Sequence, residues 1–245
     1  MFERLHGRRL FSRVGALAAG ALLLWAGAAG ATKISGSIAG YIYLENPVWS
    51  EAKDPKLKGY TFREIVPTVP AGFRRLYPQI TKEICVALLA RDTQTPKAPV
   101  TVRVGGGRTS PVTLVVAPGT KVIFENTDPF THRLYGVGMK EFAASETAKG
   151  SKREWSVPAA GIYEIRDELA PSVRMWVVSE PQVSSITYPT LKGDYVLQSE
   201  TPGDYVVQAY FSGRKIGNAM PVTVGAADVA VEAIAVGKKP EGKPE

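Results

Sequence analysis

Short apolar runs broken by Gly, Pro, Asn and Asp recur along this chain, and helical periodicity is almost absent. The runs predict strands over 34–44, 83–90, 100–104, 112–116, 121–126, 154–157, 163–166 and 175–178. A later set is predicted over 195–198, 205–211, 221–224 and 228–236. Many short strands at roughly ten-residue spacing argue for an all-β chain of sandwiches or barrels. The stretch 45–80 breaks the pattern, with Pro47, Pro55, Pro67, Pro70 and Pro78 set among Trp49, Tyr60, Phe62, Phe73 and Tyr77. A connection of that length is either functional or folded against the body. The sequence Gly-Asp-Tyr-Val occurs at 193–196 and again at 203–206. It predicts two strands around a turn at 200–204, each with one buried and one wet face.

The first 31 residues read as an address. Arg4, Arg8, Arg9 and Arg13 precede an apolar run over 14–29, and Ala29-Gly30-Ala31 supplies small residues for cleavage. The run is shorter and richer in Ala and Gly than a stable membrane span. Arg8-Arg9-Leu10-Phe11 is compatible with the twin-arginine route as well as the general one, and an uncleaved anchor is the other reading. The chain is therefore expected to be periplasmic or secreted. Residues 237–245 read as a solvated tail.

Composition narrows the chemistry. The 245 residues are 44% hydrophobic, enough for a real core, but include only one Cys and two His. A disulfide framework, a zinc finger and a Cys-His protease are excluded. The formal charge of +7 owes much to the leader: without its four Arg and one Glu, 26 basic residues face 22 acidic ones, a net +4. No concentrated basic stripe supports nucleic-acid binding. Past the leader only His132 and Cys85 remain, and Cys85 in Ile84-Cys85-Val86-Ala87-Leu88-Leu89 reads as an inert core residue. There is no nucleophile-elbow motif. Asp167-Glu168 are adjacent and point apart, unlike the facing carboxylates of a hydrolase. Gly105-Gly106-Gly107 lacks a P-loop lysine and reads as a flexible turn. A calcium site from Asp194 and Asp204 lacks the close ligand spacing of a calcium loop. No enzyme is expected.

The middle of the chain, residues 100–180, resembles a cupredoxin. The resemblance is carried by Ser110-Pro111-Val112-Thr113-Leu114-Val115-Val116, by Pro118-Gly119-Thr120-Lys121-Val122-Ile123-Phe124, and by Asn126-Thr127-Asp128 followed by His132. Val157-Pro158, Gly161 and Tyr163 continue it. Such domains are Greek-key β-sandwiches that usually hold one copper through two imidazoles, a thiolate and a weak axial thioether. The resemblance implies Asp167 at the cysteine position, Ala170 at the second histidine position and Val173 at the methionine position. Three of four ligands are thus missing, and no copper or other cofactor is expected. An improvised metal site from His132, Asp167, Glu168 and Met175 is the weaker reading, because Arg133, Arg166 and Arg174 lie close by and favour salt bridges. Gly193–Val196 and Thr201–Tyr210 resemble a carboxypeptidase-regulatory-like, transthyretin-like module. The pair of domains together resembles exported methylamine-utilisation-type proteins.

The expected organisation is a leader over 1–31, N-terminal strands over 32–99 with the 45–80 insertion, a cupredoxin-like domain over 100–180, a small antiparallel module over 181–236 and a tail over 237–245. The expected function is that of an exported, non-catalytic binding or scaffold protein, its partner an envelope or extracellular protein met by Phe73, Tyr77, Leu134 and Tyr135. A metal or electron-transfer protein built around His132 and a cell-surface carbohydrate-binding module are the alternatives.

Overall fold

Strands whose residues alternate between polar and apolar bury one face, whereas runs that are apolar throughout must be covered on both. The computed structural model, which describes residues 31–40, 49–50, 62–63 and 80–236, contains both kinds. Its elements begin with β1 (Thr32–Gly40), β2 (Trp49–Ser50), β3 (Phe62–Arg63), the single turn α1 (Ile80–Glu83) and β4 (Ile84–Ala90). There follow β5 (Val100–Gly105), β6 (Arg108–Ser110), β7 (Thr113–Val116), β8 (Lys121–Asn126), β9 (His132–Gly136) and β10 (Ser145–Thr147). Next come β11 (Lys152–Ser156), β12 (Gly161–Asp167), β13 (Arg174–Ser179) and β14 (Val183–Thr187). The last are β15 (Asp194–Ser199), β16 (Gly203–Phe211), β17 (Arg214–Val224), β18 (Val229–Ala230) and β19 (Ile234–Val236). The chain is all-β, as its patterning predicts. Among the described residues no helix is long and apolar enough to cross a membrane.

Two sheets form the middle sandwich. One has the order β10-β9-β12-β13-β7, the other β11-β8-β5-β6. Each is antiparallel except for one parallel pair, β7 with β13 and β5 with β8. Such pairs cannot come from hairpins, so the chain crosses between sheets as in a Greek key. Val102, Phe124, Leu134, Ile165, Met175 and Val177 meet in the core between them.

β2 and β3 pair only with each other, and β1, β4 and β14 to β19 build a second unit from both ends of the chain. β1 pairs with β15 antiparallel and with β18 and β19 in parallel. β4 lies between β14 and β16, and β17 completes that sheet. The expected boundary between 32–99 and 181–236 therefore does not separate two modules: β1 and β4 are paired with the C-terminal strands, and the sandwich sits between those segments in the sequence. The reason lies in β4. Ile84, Val86 and Leu88 face the core shared with Ile34, Tyr195 and Val207. Cys85, Ala87 and Leu89 face the opposite way, onto Val115, Ala117 and Val178 of the sandwich. A strand with no wet face needs a neighbouring layer on each side, and fully burying each large side chain contributes about 1.5–3 kcal/mol.

Three local expectations change. The two Gly-Asp-Tyr-Val strands are not a hairpin: β15 belongs to the β1 sheet and β16 to the β4 sheet, with Tyr195 and Tyr205 pointing into the same core. The strand expected over 228–236 splits into β18 and β19. At that level a Cβ on Gly36 would lie 2.5 Å from the Tyr195 hydroxyl and 2.8 Å from Val231 Cγ2, so both side chains occupy the space a larger residue would need. Finally, β2 and β3 inside the 45–80 stretch, and β6, β9, β10 and β14, were not foreseen, being short or rich in Arg, Thr and Ser.

Candidate functional site

At one end of the sandwich β8 stops at Asn126, whose side chain fixes the loop that follows. Its Nδ2 donates to the Phe130 and Thr147 carbonyls, both at 2.8 Å, and its Oδ1 accepts the Asp128 N–H at 2.9 Å. Asp128 is thereby turned inward. Its Oδ1 accepts the Gly106 N–H at 2.7 Å and its Oδ2 the Gly107 N–H at 3.3 Å. Both glycines have positive φ, +62° and +70°, the backbone of a tight hairpin turn. The glycine run is thus a turn, held by a carboxylate rather than by a ligand.

His132 opens β9 and is fully buried. Its Nε2 lies 3.1 Å from Asp128 Oδ2 and its Nδ1 2.9 Å from Asp167 Oδ2. Phe130 packs on the imidazole, with ring centroids 4.9 Å apart. Asp167, at the end of β12, is also buried and saturated: Oδ2 accepts the Arg133 N–H at 2.9 Å, and Oδ1 accepts the Leu169 and Ala170 N–H groups at 2.7 Å each. The result is a closed chain running from the 105–108 turn through Asp128, His132 and Asp167 to the loop at 168–170. Five backbone N–H groups, from Gly106, Gly107, Arg133, Leu169 and Ala170, offset the carboxylate charge in the interior.

This arrangement does not fit copper. A ligand imidazole must present a free nitrogen lone pair, and both nitrogens of His132 face carboxylates. Ala170 and Val173 are fully buried among core side chains and offer no donor atom. Cys85 lies in the other apolar layer, on β4, where burial pushes its thiol up to about 12. Of the proposed metal set, the structure brings together His132 and Asp167 and adds Asp128, which the sequence reading used only as part of a motif. Glu168 instead turns out to Arg133 Nη1 at 3.0 Å, and Met175 is a core residue. Among the described residues no group of three His, Cys, Asp or Glu side chains is placed to hold a metal ion.

The partner-surface residues divide. Phe73 and Tyr77 lie outside the described residues. Leu134 faces the sandwich core and is fully buried, so it forms no part of an outer surface. Strand alternation puts its neighbour Tyr135 on the opposite face, beside Arg166 across β12. The same outer face carries Val137 and Ile162, 45% and 59% exposed. Between them Glu164 accepts Arg166 Nε at 2.8 Å and also pairs with Arg174, whose guanidinium lies over the Trp176 ring. Asp194 and Asp204 belong to different sheets, and Asp204 accepts the Thr223 hydroxyl at 2.8 Å.

No family model matches the sequence, and no curated protein matches it. Solved structures similar to this chain are cupredoxins. A purple cupredoxin from Nitrosopumilus maritimus is 20% identical, with a TM-score of 0.30, over 33% of this chain and 99% of its own. An amicyanin variant in the Cu(I) state is 18% identical, TM-score 0.31, over 39% and 98%. A copper-containing nitrite reductase from Thermus scotoductus is 19% identical, TM-score 0.32, over 38% of this chain and 25% of its own.

Proposed function

We propose that this chain is an exported, non-catalytic binding or scaffold protein built on a copper-free, cupredoxin-like sandwich. The observation that carries the reading is His132 engaged on both ring nitrogens by Asp128 and Asp167. A centre closed in this way braces three loops and has no open coordination position. Work is then left to surfaces. The outer face of the five-stranded sheet, with Tyr135, Val137 and Ile162 around the Glu164–Arg166 pair, offers an apolar patch edged by charge, the composition of a protein-docking surface. The leader-like residues 1–31 suit an envelope partner.

Ile162→Glu paired with Tyr135→Ala tests this reading. Cross-linking in the envelope is expected to trap a defined partner with the parent chain and to lose it with the double variant. Val196→Glu, at another exposed apolar residue, on β15, is expected to retain it. Equal recovery from all three proteins would count against the proposed face.

A further inference from the structure

The sandwich and the second unit leave an open cleft of about 200 Å³ where they meet. Its walls are apolar: Val100, Val115 and Ala117 on the sandwich side, Val183 and Ile186 on β14. Clefts between folded units are favoured ligand positions, and an apolar cavity of about 150 Å³ takes up a benzene-sized molecule. The space here therefore suits about five or six carbons. Thr95, Ser184 and Ser185 also line it, and two further polar groups bear on a ligand's charge. Lys97 lines the cleft, is exposed, and pairs with no carboxylate among the described residues. Thr120 lines it too; it is only 3% exposed, and no described residue hydrogen-bonds its hydroxyl. No acidic side chain lines the cleft. The β14 wall is also irregular: its register on β4 shifts between Val183 and Ser185, leaving Ser184 as the extra residue of a bulge facing this space.

We propose that this cleft binds a small aliphatic carboxylate, its chain against the valines and its charge met by Lys97 with the Thr120 hydroxyl as a donor. This site is separate from the sheet face assigned above to a protein partner, and either can fail alone. The test is a titration of the isotope-labelled full chain with hexanoate, followed by amide NMR, with hexan-1-ol as the uncharged probe. Saturating shifts at Val116, Ala117, Ser184 and Ser185 with a midpoint of about a millimolar are expected. Hexan-1-ol is expected to bind about threefold to fivefold more weakly, and Lys97→Gln to bring hexanoate down to that level. Ser184→Phe, checked for an unchanged spectrum away from the cleft, fills the space and is expected to abolish the shifts. Shifts that do not saturate by about 20 mM, that map elsewhere, or that are as strong with hexan-1-ol as with hexanoate would overturn the proposal.

Discussion

Replacing Asp167 by Ala removes the acceptor for four donors at once. Three are the backbone N–H groups of Arg133, Leu169 and Ala170, and the fourth is His132 Nδ1, all within 2.7–2.9 Å. The Asp167 side chain is fully buried, so water does not replace its carboxylate from outside without loosening the loop. At about 1 kcal/mol net for each bond the loss is about 4 kcal/mol, within the range of about 3–5 kcal/mol for breaking a buried charged pair. Asp167→Asn separates the contributions. Its remaining oxygen can still serve Leu169 and Ala170, but its NH2 then faces the Arg133 N–H and the imidazole, and a smaller loss of about 2 kcal/mol follows. Urea unfolding followed by tryptophan fluorescence, which includes Trp155 and Trp176 of the sandwich, reads both values. A loss for Asp167→Ala below about 1 kcal/mol at unchanged m, or a larger loss for Asn than for Ala, would refute the bracing role of this chain of bonds.

Other consequences follow from the same structure. Asp128→Ala frees the Gly106 and Gly107 amides, so hydrogen exchange in the 105–108 turn is expected to quicken and stability to fall by about 2 kcal/mol; an unchanged exchange rate at those amides would contradict it. Cys85 is raised from 9.0 to about 12 by burial, so the fold prefers its neutral thiol and the unfolded chain releases that proton first. Stability is therefore full below pH 9 and falls as pH rises from 9 to 12, by about 1.4 kcal/mol per pH unit from this group, with Tyr195 acting in the same direction; a flat urea midpoint across that window would oppose the placement of Cys85. The same thiol is expected to resist a maleimide reagent in the native chain and to react fully in urea. Gly193 has φ +96° and a Cβ there would lie 2.5 Å from the Ile38 carbonyl, so Gly193→Ala is expected to lower the thermal midpoint by several degrees, whereas an unchanged midpoint would mean that the turn relaxes freely.

Much of the sandwich was legible because its strands carry clear patterns. The run at 121–126 alternates between wet and buried residues and was bounded correctly to the residue. The run at 84–89 predicted a strand with Cys85 in the core, but neither that both of its faces would be covered nor which layer lay on either side. That depends on pairing between residues more than a hundred positions apart, such as Val86 with Ala209, and no local pattern encodes it. The candidate site was legible by subtraction: a single histidine beyond residue 31 cannot build a two-imidazole centre there. What filled the place was only half readable. Asp167 stood out by its position, whereas Asp128 stood in a loop motif and gave no sign that it would close on His132 four residues later. Asn126 and the glycine turn supply that geometry, and both act through backbone groups that a sequence does not display. Leu134 was misplaced for a simpler reason: β9 was not foreseen, and without its alternation Leu134 and Tyr135 could not be assigned to opposite faces.

Copper loading of the purified chain tests the central reading most directly. After exposure to excess Cu(II) and extensive dialysis, metal analysis is expected to find well under one copper per chain, and the visible spectrum to stay colourless. One retained copper with an intense blue band, both lost in His132→Ala, would contradict the account.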